Sequence, residues 1–103
     1  MPCEVVWLPG AVRDIARLRE FIQKKNPAAA IRAAQRIREA TKILLENPAT
    51  GKPVEELPAF RELFIPFGNG NYVLRYIEEK NRVIITQVKH SKEDEFETRN
   101  PAR

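Results

Sequence analysis

The sequence predicts an α+β domain in which an antiparallel helical hairpin packs on one face of a small, mostly antiparallel sheet. Apolar residues recur at helical spacing in the first half of the chain. Three runs rich in β-branched and aromatic residues, separated by turn signals, fill the second half. The 103 residues are the usual size of one domain. We therefore expect residues 1–103 to form a single domain of order β-α-α-β-β-β, with a polar tail from about residue 91.

The first strand and the first helix follow directly from the N-terminal pattern. Residues 3–8 are mostly β-branched and aromatic without polar alternation, which predicts a strand buried on both faces. Residues 11–25 then carry apolar side chains at helical spacing, with two more that widen the predicted buried stripe. The stripe consists of Ala11, Ile15, Leu18 and Ile22, and Val12 and Phe21 widen it.

Asn26-Pro27 predicts the end of this helix and the start of the next, because Asn is a good cap and Pro suits the first helical position. The second helix is expected from Ala28 to about Asn47. Its predicted buried face is rich in small residues, so the two helices can approach closely. That face consists of Ala30, Ala33, Ala34, Ile37, Thr41 and Leu44.

The second half of the chain predicts a proline-containing loop and three strands. The loop is expected over 49–59, and the strands over 60–67, 72–78 and 83–89. Gly68-Asn69-Gly70-Asn71 contains the Asn-Gly pair typical of tight hairpins. Glu79-Lys80-Asn81 also has hairpin length. After Ser91 we expect a short helical turn followed by disorder.

Both faces of this three-stranded meander are apolar, yet one helical hairpin can cover only one face. Phe60 and Phe64 alternate with Leu63 and Ile65 along the first of the three strands. Large bare apolar faces are rare on free-standing proteins. We therefore expect a partner chain on the second face; the alternative is that the long loop or the tail, through Phe96, folds over it.

The composition excludes several classes of protein. The apolar runs are far shorter than the roughly 20 residues of a membrane span, so we expect no membrane partner. Without a secretory signal, and with Cys3 as the single cysteine, the chain is expected in the cytoplasm.

One His and one Cys cannot build a metal site, and the acidic cluster at 93–97 lacks the ligand spacing of a calcium loop. Gly68-Asn69-Gly70 joins two strands and therefore does not resemble a phosphate loop. We expect no cofactor and no metal.

Positive charge is concentrated in the predicted helices. Residues 10–47 hold nine basic and four acidic side chains, a net charge of +5, whereas the whole chain has +4. A basic surface favours an acidic partner, either nucleic acid or protein. The alternative is a pair of solvated helix faces.

Basic residues on the predicted strands form the candidate site. Cations on adjacent strands can form one anion-binding face. The candidates for partner or target binding are Arg61, Arg75, Lys89, His90 and Lys92. RNA cleavage without a metal needs an acid or base and phosphate-binding cations; for that reaction the candidates are His90 with Arg61 and Arg82. The alternatives are that His90 binds a backbone group at a strand end, and that Arg61 pairs with Glu62 or Glu55.

The order and spacing of several short motifs over about residues 4–94 resemble the RelE/ParE superfamily of bacterial toxins, the ParE branch most closely. The motifs in the helical half are Trp7, Ala11-x-x-Asp14-Ile15, Asn26-Pro27-x-Ala29-Ala30 and Leu45-x-x-Pro48-x-x-Gly51. Those in the strands are Phe60-Arg61-Glu62-Leu63, Tyr72-x-Leu74-x-Tyr76 and Val88-x-His90-x-Lys92-x-Asp94.

This resemblance implies the toxin of a type II toxin–antitoxin system, with the β-α-α-β-β-β fold and growth arrest when the toxin is free. ParE-like members poison DNA gyrase and are neutralised by a ParD-like antitoxin. The expected assembly is a hetero-oligomer with that antitoxin, which contacts operator DNA only through the antitoxin. RelE-like members instead cut messenger RNA on the ribosome, often with a tyrosine near the last strand. Here Lys89-His90-Ser91 offers no tyrosine.

The resemblance therefore favours a gyrase-binding toxin. A ribosome-dependent endoribonuclease that uses His90 and Arg61 is the main alternative. A third possibility is a toxin-like protein that has lost toxicity and serves as a repressor partner.

Overall fold

The computed structural model describes residues 4–91, and these form the predicted α+β fold with one additional strand. One five-stranded sheet has the order β1-β5-β4-β3-β2; β1 runs parallel to β5, and all other pairs are antiparallel. The elements are β1 (Glu4–Trp7), α1 (Pro9–Lys25), α2 (Pro27–Glu46), a 3-10 turn (Pro48–Thr50), β2 (Lys52–Val54), β3 (Leu57–Phe67), β4 (Gly70–Glu79) and β5 (Arg82–His90).

The helical hairpin turns at Asn26, as the sequence predicts. The Asn26 side-chain oxygen accepts a hydrogen bond from the Ala29 backbone N–H at 3.1 Å, and Pro27 occupies the first turn of α2. At the end of α1, the Asn26 backbone N–H donates to the carbonyl of Ile22 at 2.8 Å. Asn26 therefore satisfies backbone groups at the end of one helix and the start of the next.

The prediction of a loop over 49–59 is wrong. Lys52–Val54 form β2, and β3 begins at Leu57, three residues before its predicted start. Pro53 is tolerated because β2 is an edge strand. An edge strand has no neighbouring strand on its solvent side, so a residue without an N–H loses no ladder hydrogen bond on that side. Of the prolines that suggested a loop, Pro53 lies in this edge strand, Pro48 begins the 3-10 turn and Pro58 lies near the start of β3.

The two hairpin turns are tighter than the sequence suggests. Gly68 and Asn69 alone connect β3 to β4, and Gly68 adopts a φ of 66°. Lys80 and Asn81 connect β4 to β5, and Lys80 adopts a φ of 55°. Positive φ at the first position suits the primed turns whose twist matches that of paired strands.

The core lies between the two helices and one face of the sheet. Its fully buried side chains come from α1, α2 and the central strands β4 and β5: Ala11, Leu44, Leu74, Tyr76, Val83, Ile85 and Val88. Val12 and Phe21 do not widen this core, contrary to prediction; each is more than half exposed. Ala34, also predicted to be buried, is exposed.

Within residues 4–91, no helix is both long and apolar enough to span a bilayer. The same residues contain no group of three or more His, Cys, Asp or Glu side chains that could hold a metal ion. Cys3, the acidic cluster at 93–97, Phe96 and the polar tail lie outside the described residues.

Candidate functional site

The sheet face opposite the helices, here called the open sheet face, carries apolar side chains on both sides of a polar row formed by Glu62, Arg75 and Gln87. Leu74 and Tyr76 belong to the core, so the alternation of side chains along β4 places Val73, Arg75 and Ile77 on the open face. The strand register extends this face to the neighbouring strands. Its apolar members are Val6, Phe60, Phe64, Val73, Ile77 and Ile84. Phe64 is 45% exposed, and the Lys52 ammonium lies 5.7 Å from the centre of its ring.

Two of the predicted cations are paired with carboxylates. The Arg75 guanidinium donates from Nε and Nη2 to one oxygen of Glu62, at 2.9 and 2.7 Å. This pair crosses the open sheet face between β4 and β3. Arg82 at the start of β5 lies 3.6 Å from a carboxylate oxygen of Glu79 at the end of β4. Both side chains therefore have carboxylate partners within the chain.

Arg61 lies on the other face, with the helices. It is opposite Tyr76 in the β3–β4 register and shares its side of the sheet. Its guanidinium donates to the backbone carbonyl of Gly51 at 2.7 Å and to that of Ala49 at 3.3 Å. Both carbonyls belong to the connection between α2 and β2. Arg61 thus binds neither Glu62 nor Glu55, the two partners considered from the sequence.

The same connection is bound by Tyr76, whose side chain is fully buried. Its hydroxyl donates to the carbonyl of Pro48 at 2.6 Å and accepts from the Gly51 N–H at 2.9 Å. Burial raises the pKa of the Tyr76 phenol above its ordinary value, although the hydrogen bond from Gly51 opposes this shift. A Cβ on Gly51 would lie 2.5 Å from the Tyr76 hydroxyl oxygen, so this contact requires glycine.

His90 and Lys89 end β5, and Lys92 lies outside the described residues. The His90 Nε2 is 3.3 Å from the carbonyl oxygen of Phe67, and its imidazole ring packs edge-on against Tyr72 with centroids 5.0 Å apart. This arrangement agrees with the alternative that His90 contacts a backbone group at a strand end. Lys89 is opposite Val73 in the register and lies on the open sheet face.

The candidate residues do not share one anion-binding face. Arg61 is on the helix side, whereas Arg75 and Lys89 are on the open side. Arg82 and His90 are at opposite ends of β5, about 26 Å apart along the strand at 3.3 Å per residue. The three groups considered for RNA cleavage are therefore separated.

A groove between the two helices is a concavity that the sequence did not indicate. It has a volume of about 310 Å³ and opens beside β1. Its lining is apolar apart from one guanidinium and one hydroxyl: Trp7, Val12, Ile15, Ala34, Ile37, Arg38 and Thr41. The exposure of Val12 and Ala34, both predicted to be core residues, follows from this opening between the helices.

Comparison with known proteins identifies the family. The model of the family described as the ParE toxin of the type II toxin-antitoxin system, parDE, matches residues 5–95. The chain belongs to the ParE toxin family. The predicted resemblance to the RelE/ParE superfamily is thereby confirmed, and the chain is a toxin of a type II toxin–antitoxin system.

Relatives of this ParE-family toxin include three Caulobacter vibrioides proteins. Toxin RelE3 is 33% identical over 85 residues, which cover 82% of this chain and 90% of the relative. Toxin RelE1 is 36% identical over 83 residues, which cover 81% of this chain and 87% of the relative. Toxin RelE2 is 32% identical over 88 residues, which cover 85% of this chain and 94% of the relative.

A solved structure supports the fold of the ParE-family toxin. A chain of the chromosomal ParDE TA system from P. aeruginosa superposes with a TM-score of 0.67 at 20% identity, covering 84% of this chain and 94% of that one. At this identity the similarity concerns the fold alone. It agrees with the arrangement of two helices on one face of a mixed sheet.

Proposed function

We propose that this ParE-family toxin arrests bacterial growth by binding DNA gyrase, and that a ParD-like antitoxin neutralises it. In this proposal the toxin acts as a binding protein and catalyses no reaction itself.

The separation of the candidate catalytic groups supports binding over catalysis. Metal-free RNA cleavage needs an acid or base and phosphate-binding cations around one phosphate. His90 contacts the Phe67 carbonyl at one end of β5, and Arg82 pairs with Glu79 at the other. Arg61 binds loop carbonyls on the helix side. Among residues 4–91, the groups predicted for cleavage therefore form no common site.

The open sheet face supports an antitoxin partner. Both helices pack on the opposite face, so neither covers its apolar side chains. Val73 and Ile84 are nevertheless buried, whereas Phe64 is 45% exposed. Interfaces commonly combine apolar side chains with charged ones, and Lys52 and Lys89 lie beside the apolar residues of this face. An acidic antitoxin segment would cover the open face and continue around the edge strand β1 toward the groove and Arg38. The complex is then a hetero-oligomer that contacts operator DNA through the antitoxin.

His90→Ala distinguishes this proposal from ribosome-dependent RNA cleavage. A general acid or base contributes about 10²- to 10⁴-fold to a rate, so its loss from a ribonuclease should abolish growth arrest. A gyrase-binding toxin requires no proton transfer from His90. We expect a folded His90→Ala that still arrests growth and inhibits supercoiling by purified gyrase, with ribosome-bound messages left intact.

The parent protein is the control in both assays, and circular dichroism checks the fold of the variant. A parent protein that cuts messenger RNA on the ribosome, together with a folded but harmless His90→Ala, would overturn the proposal in favour of the endoribonuclease. A parent protein with neither activity would instead support a non-toxic repressor partner.

A further inference from the structure

The end of the helical hairpin presents a surface that combines exposed apolar and basic side chains. This hairpin-tip surface consists of Phe21, Lys24, Lys25, Ile31 and Arg32, all within six residues of the turn at Asn26. Phe21 is 57% exposed and Ile31 63% exposed, more than any other large apolar side chain in residues 4–91. Large exposed apolar side chains that occur together mark interaction sites more often than a single exposed Leu does.

Phe21 and Ile31 are equally distant from the turn. Each lies five residues from Asn26, about 7.5 Å along its helix axis at 1.5 Å per residue. The Lys25 ammonium lies 5.1 Å from the centre of the Phe21 ring, so a positive charge is held directly beside this apolar side chain. A single partner surface could contact both helices at this end.

The charge around the tip has one sign. Between Glu20 and Glu39 the chain contains no acidic residue and five basic ones: Lys24, Lys25, Arg32, Arg36 and Arg38. Arg36 donates to the Pro66 carbonyl at 2.8 Å, so it helps to attach α2 to β3. The cations nearest the turn lie on exposed helix positions, where they impose a positive field on any approaching partner.

These features fit an acidic protein surface better than nucleic acid. Phosphate contacts need cations alone and are insensitive to an exposed aliphatic side chain such as Ile31. Protein interfaces instead place a few apolar anchors at the centre of a polar or charged rim. The tip supplies both components: Phe21 and Ile31 are exposed apolar side chains, and Lys24, Lys25 and Arg32 are exposed cations close to the same turn.

We propose that the hairpin-tip surface is where the toxin engages its protein target, through an acidic patch that surrounds an apolar depression. This inference rests on the proposed function, in which the target is gyrase. The antitoxin surface proposed above is the open sheet face with the groove and Arg38, and it contains no residue of the tip, so the two interactions can be separated by substitution. An antitoxin on the open sheet face would exclude the target by its bulk.

Two sets of substitutions test the tip. The apolar set is Phe21→Gln with Ile31→Gln, and the charge set is Lys24→Gln, Lys25→Gln and Arg32→Gln; Gln keeps helix propensity high. Matched controls away from the tip are Leu57→Gln, an exposed apolar residue, and Lys80→Gln, an exposed cation. The measurement is the toxin concentration that half-inhibits supercoiling by gyrase holoenzyme, with circular dichroism and antitoxin affinity measured in parallel.

We expect each tip set to raise this concentration at least about tenfold, because central anchors dominate interfaces. Both controls should match the parent, and antitoxin affinity should not change. Should the apolar double variant fail to fold, the single substitutions Phe21→Gln and Ile31→Gln carry the same test.

The possible failures are distinguishable. A parent protein that does not inhibit gyrase overturns the proposed function and this inference with it. An active parent with fully active tip variants overturns only the tip. Loss of inhibition in the charge set alone, accompanied by weaker binding to duplex DNA without gyrase, would identify a nucleic-acid surface and overturn the protein partner.

Discussion

Tyr76 connects segments of the chain that are distant in sequence. Its hydroxyl binds Pro48 and Gly51 in the connection that follows α2, and Arg61 on the neighbouring strand binds the Gly51 carbonyl. These contacts attach the end of the helical hairpin to the centre of the sheet. A tyrosine can do this because its ring fills core volume while its hydroxyl reaches backbone groups.

Tyr76→Phe should therefore destabilise the protein. It removes both hydroxyl hydrogen bonds and leaves the half-buried Pro48 carbonyl and the buried Gly51 N–H without that partner, at a cost of about 1–3 kcal/mol in the free energy of unfolding. Urea denaturation at neutral pH measures this loss. An unchanged midpoint would contradict the assigned role of the hydroxyl.

The same substitution should change the alkaline pH dependence of stability. Burial raises the pKa of the folded-state Tyr76 phenol above the ordinary value of 10.0, so the folded protein holds this proton more tightly than the unfolded chain. The corresponding contribution is fully present below pH 10 and is lost as the pH rises through the folded-state pKa. Stability of the parent should fall more steeply above pH 10 than that of Tyr76→Phe.

The sequence predicts where Arg61 and Tyr76 lie but not what they bind. Alternation along the strands correctly gives their secondary structure, and the Arg61 cation suggests an anionic partner. The observed partners are carbonyl oxygens of residues 49 and 51, which only the three-dimensional path of the connection brings close. Backbone groups carry no signal in the sequence, so contacts to them escape pattern analysis.

At the scale of elements, one carboxylate adds to the core packing that attaches α1 to β5. β1 pairs with β5 only as far as Ile85, and no other strand among residues 4–91 neighbours the following part of β5 on that side. There the Asp14 Oδ2 accepts a hydrogen bond from the backbone N–H of Val88 at 2.9 Å. Asp14 thus supplies from a helix an acceptor for the end of the strand.

Asp14→Ala should destabilise this attachment. A hydrogen bond to a charged group contributes about 1.5–3 kcal/mol, and Asp14 also lies 3.4 Å from Arg17. Asp14→Asn keeps a side-chain oxygen and should cost less, while Glu20→Ala, an exposed acidic position on the same helix, is the control. Urea denaturation measures stability, and hydrogen exchange should show faster exchange of the Val88 amide in Asp14→Ala. Equal stability of Asp14→Ala and Glu20→Ala would contradict this role.

The errors at the element scale have a common physical origin. The sequence pattern correctly predicts both helices and the four longer strands. The prediction that the first strand is buried on both faces is wrong, because β1 is an edge strand whose residues are half-buried or exposed. The pattern misses β2, a three-residue edge strand that contains Pro53. It also wrongly assigns Val12 and Phe21 to the core. Spacing shows which residues share one side of a helix, but it does not show how much of that side is covered by neighbouring elements.

At the scale of the whole molecule, charge and apolar surface are distributed over two layers. The segment 10–47, which contains nearly all of both helices, has a net charge of +5, which leaves −1 for the rest of the chain. The sheet layer presents the apolar open face instead. The sequence indicates both properties, but it places the candidate cations on one surface, whereas the register divides them between the two sides of the sheet.

Phe64 provides the test of the open sheet face as the antitoxin surface. It is the most exposed of the apolar residues on that face and lies beside Lys52. Phe64→Asp removes an apolar contact and adds a negative charge that an acidic antitoxin segment should repel. We expect antitoxin affinity, measured by titration calorimetry with the co-expressed antitoxin, to fall at least about tenfold, as for a central interface residue.

Leu57→Asp, which introduces the same charge at a similarly exposed apolar position at the start of β3, should reduce affinity much less. Equal affinities of the parent and a folded Phe64→Asp would place the antitoxin elsewhere, with the groove between the helices as the next surface to test through Val12→Asp.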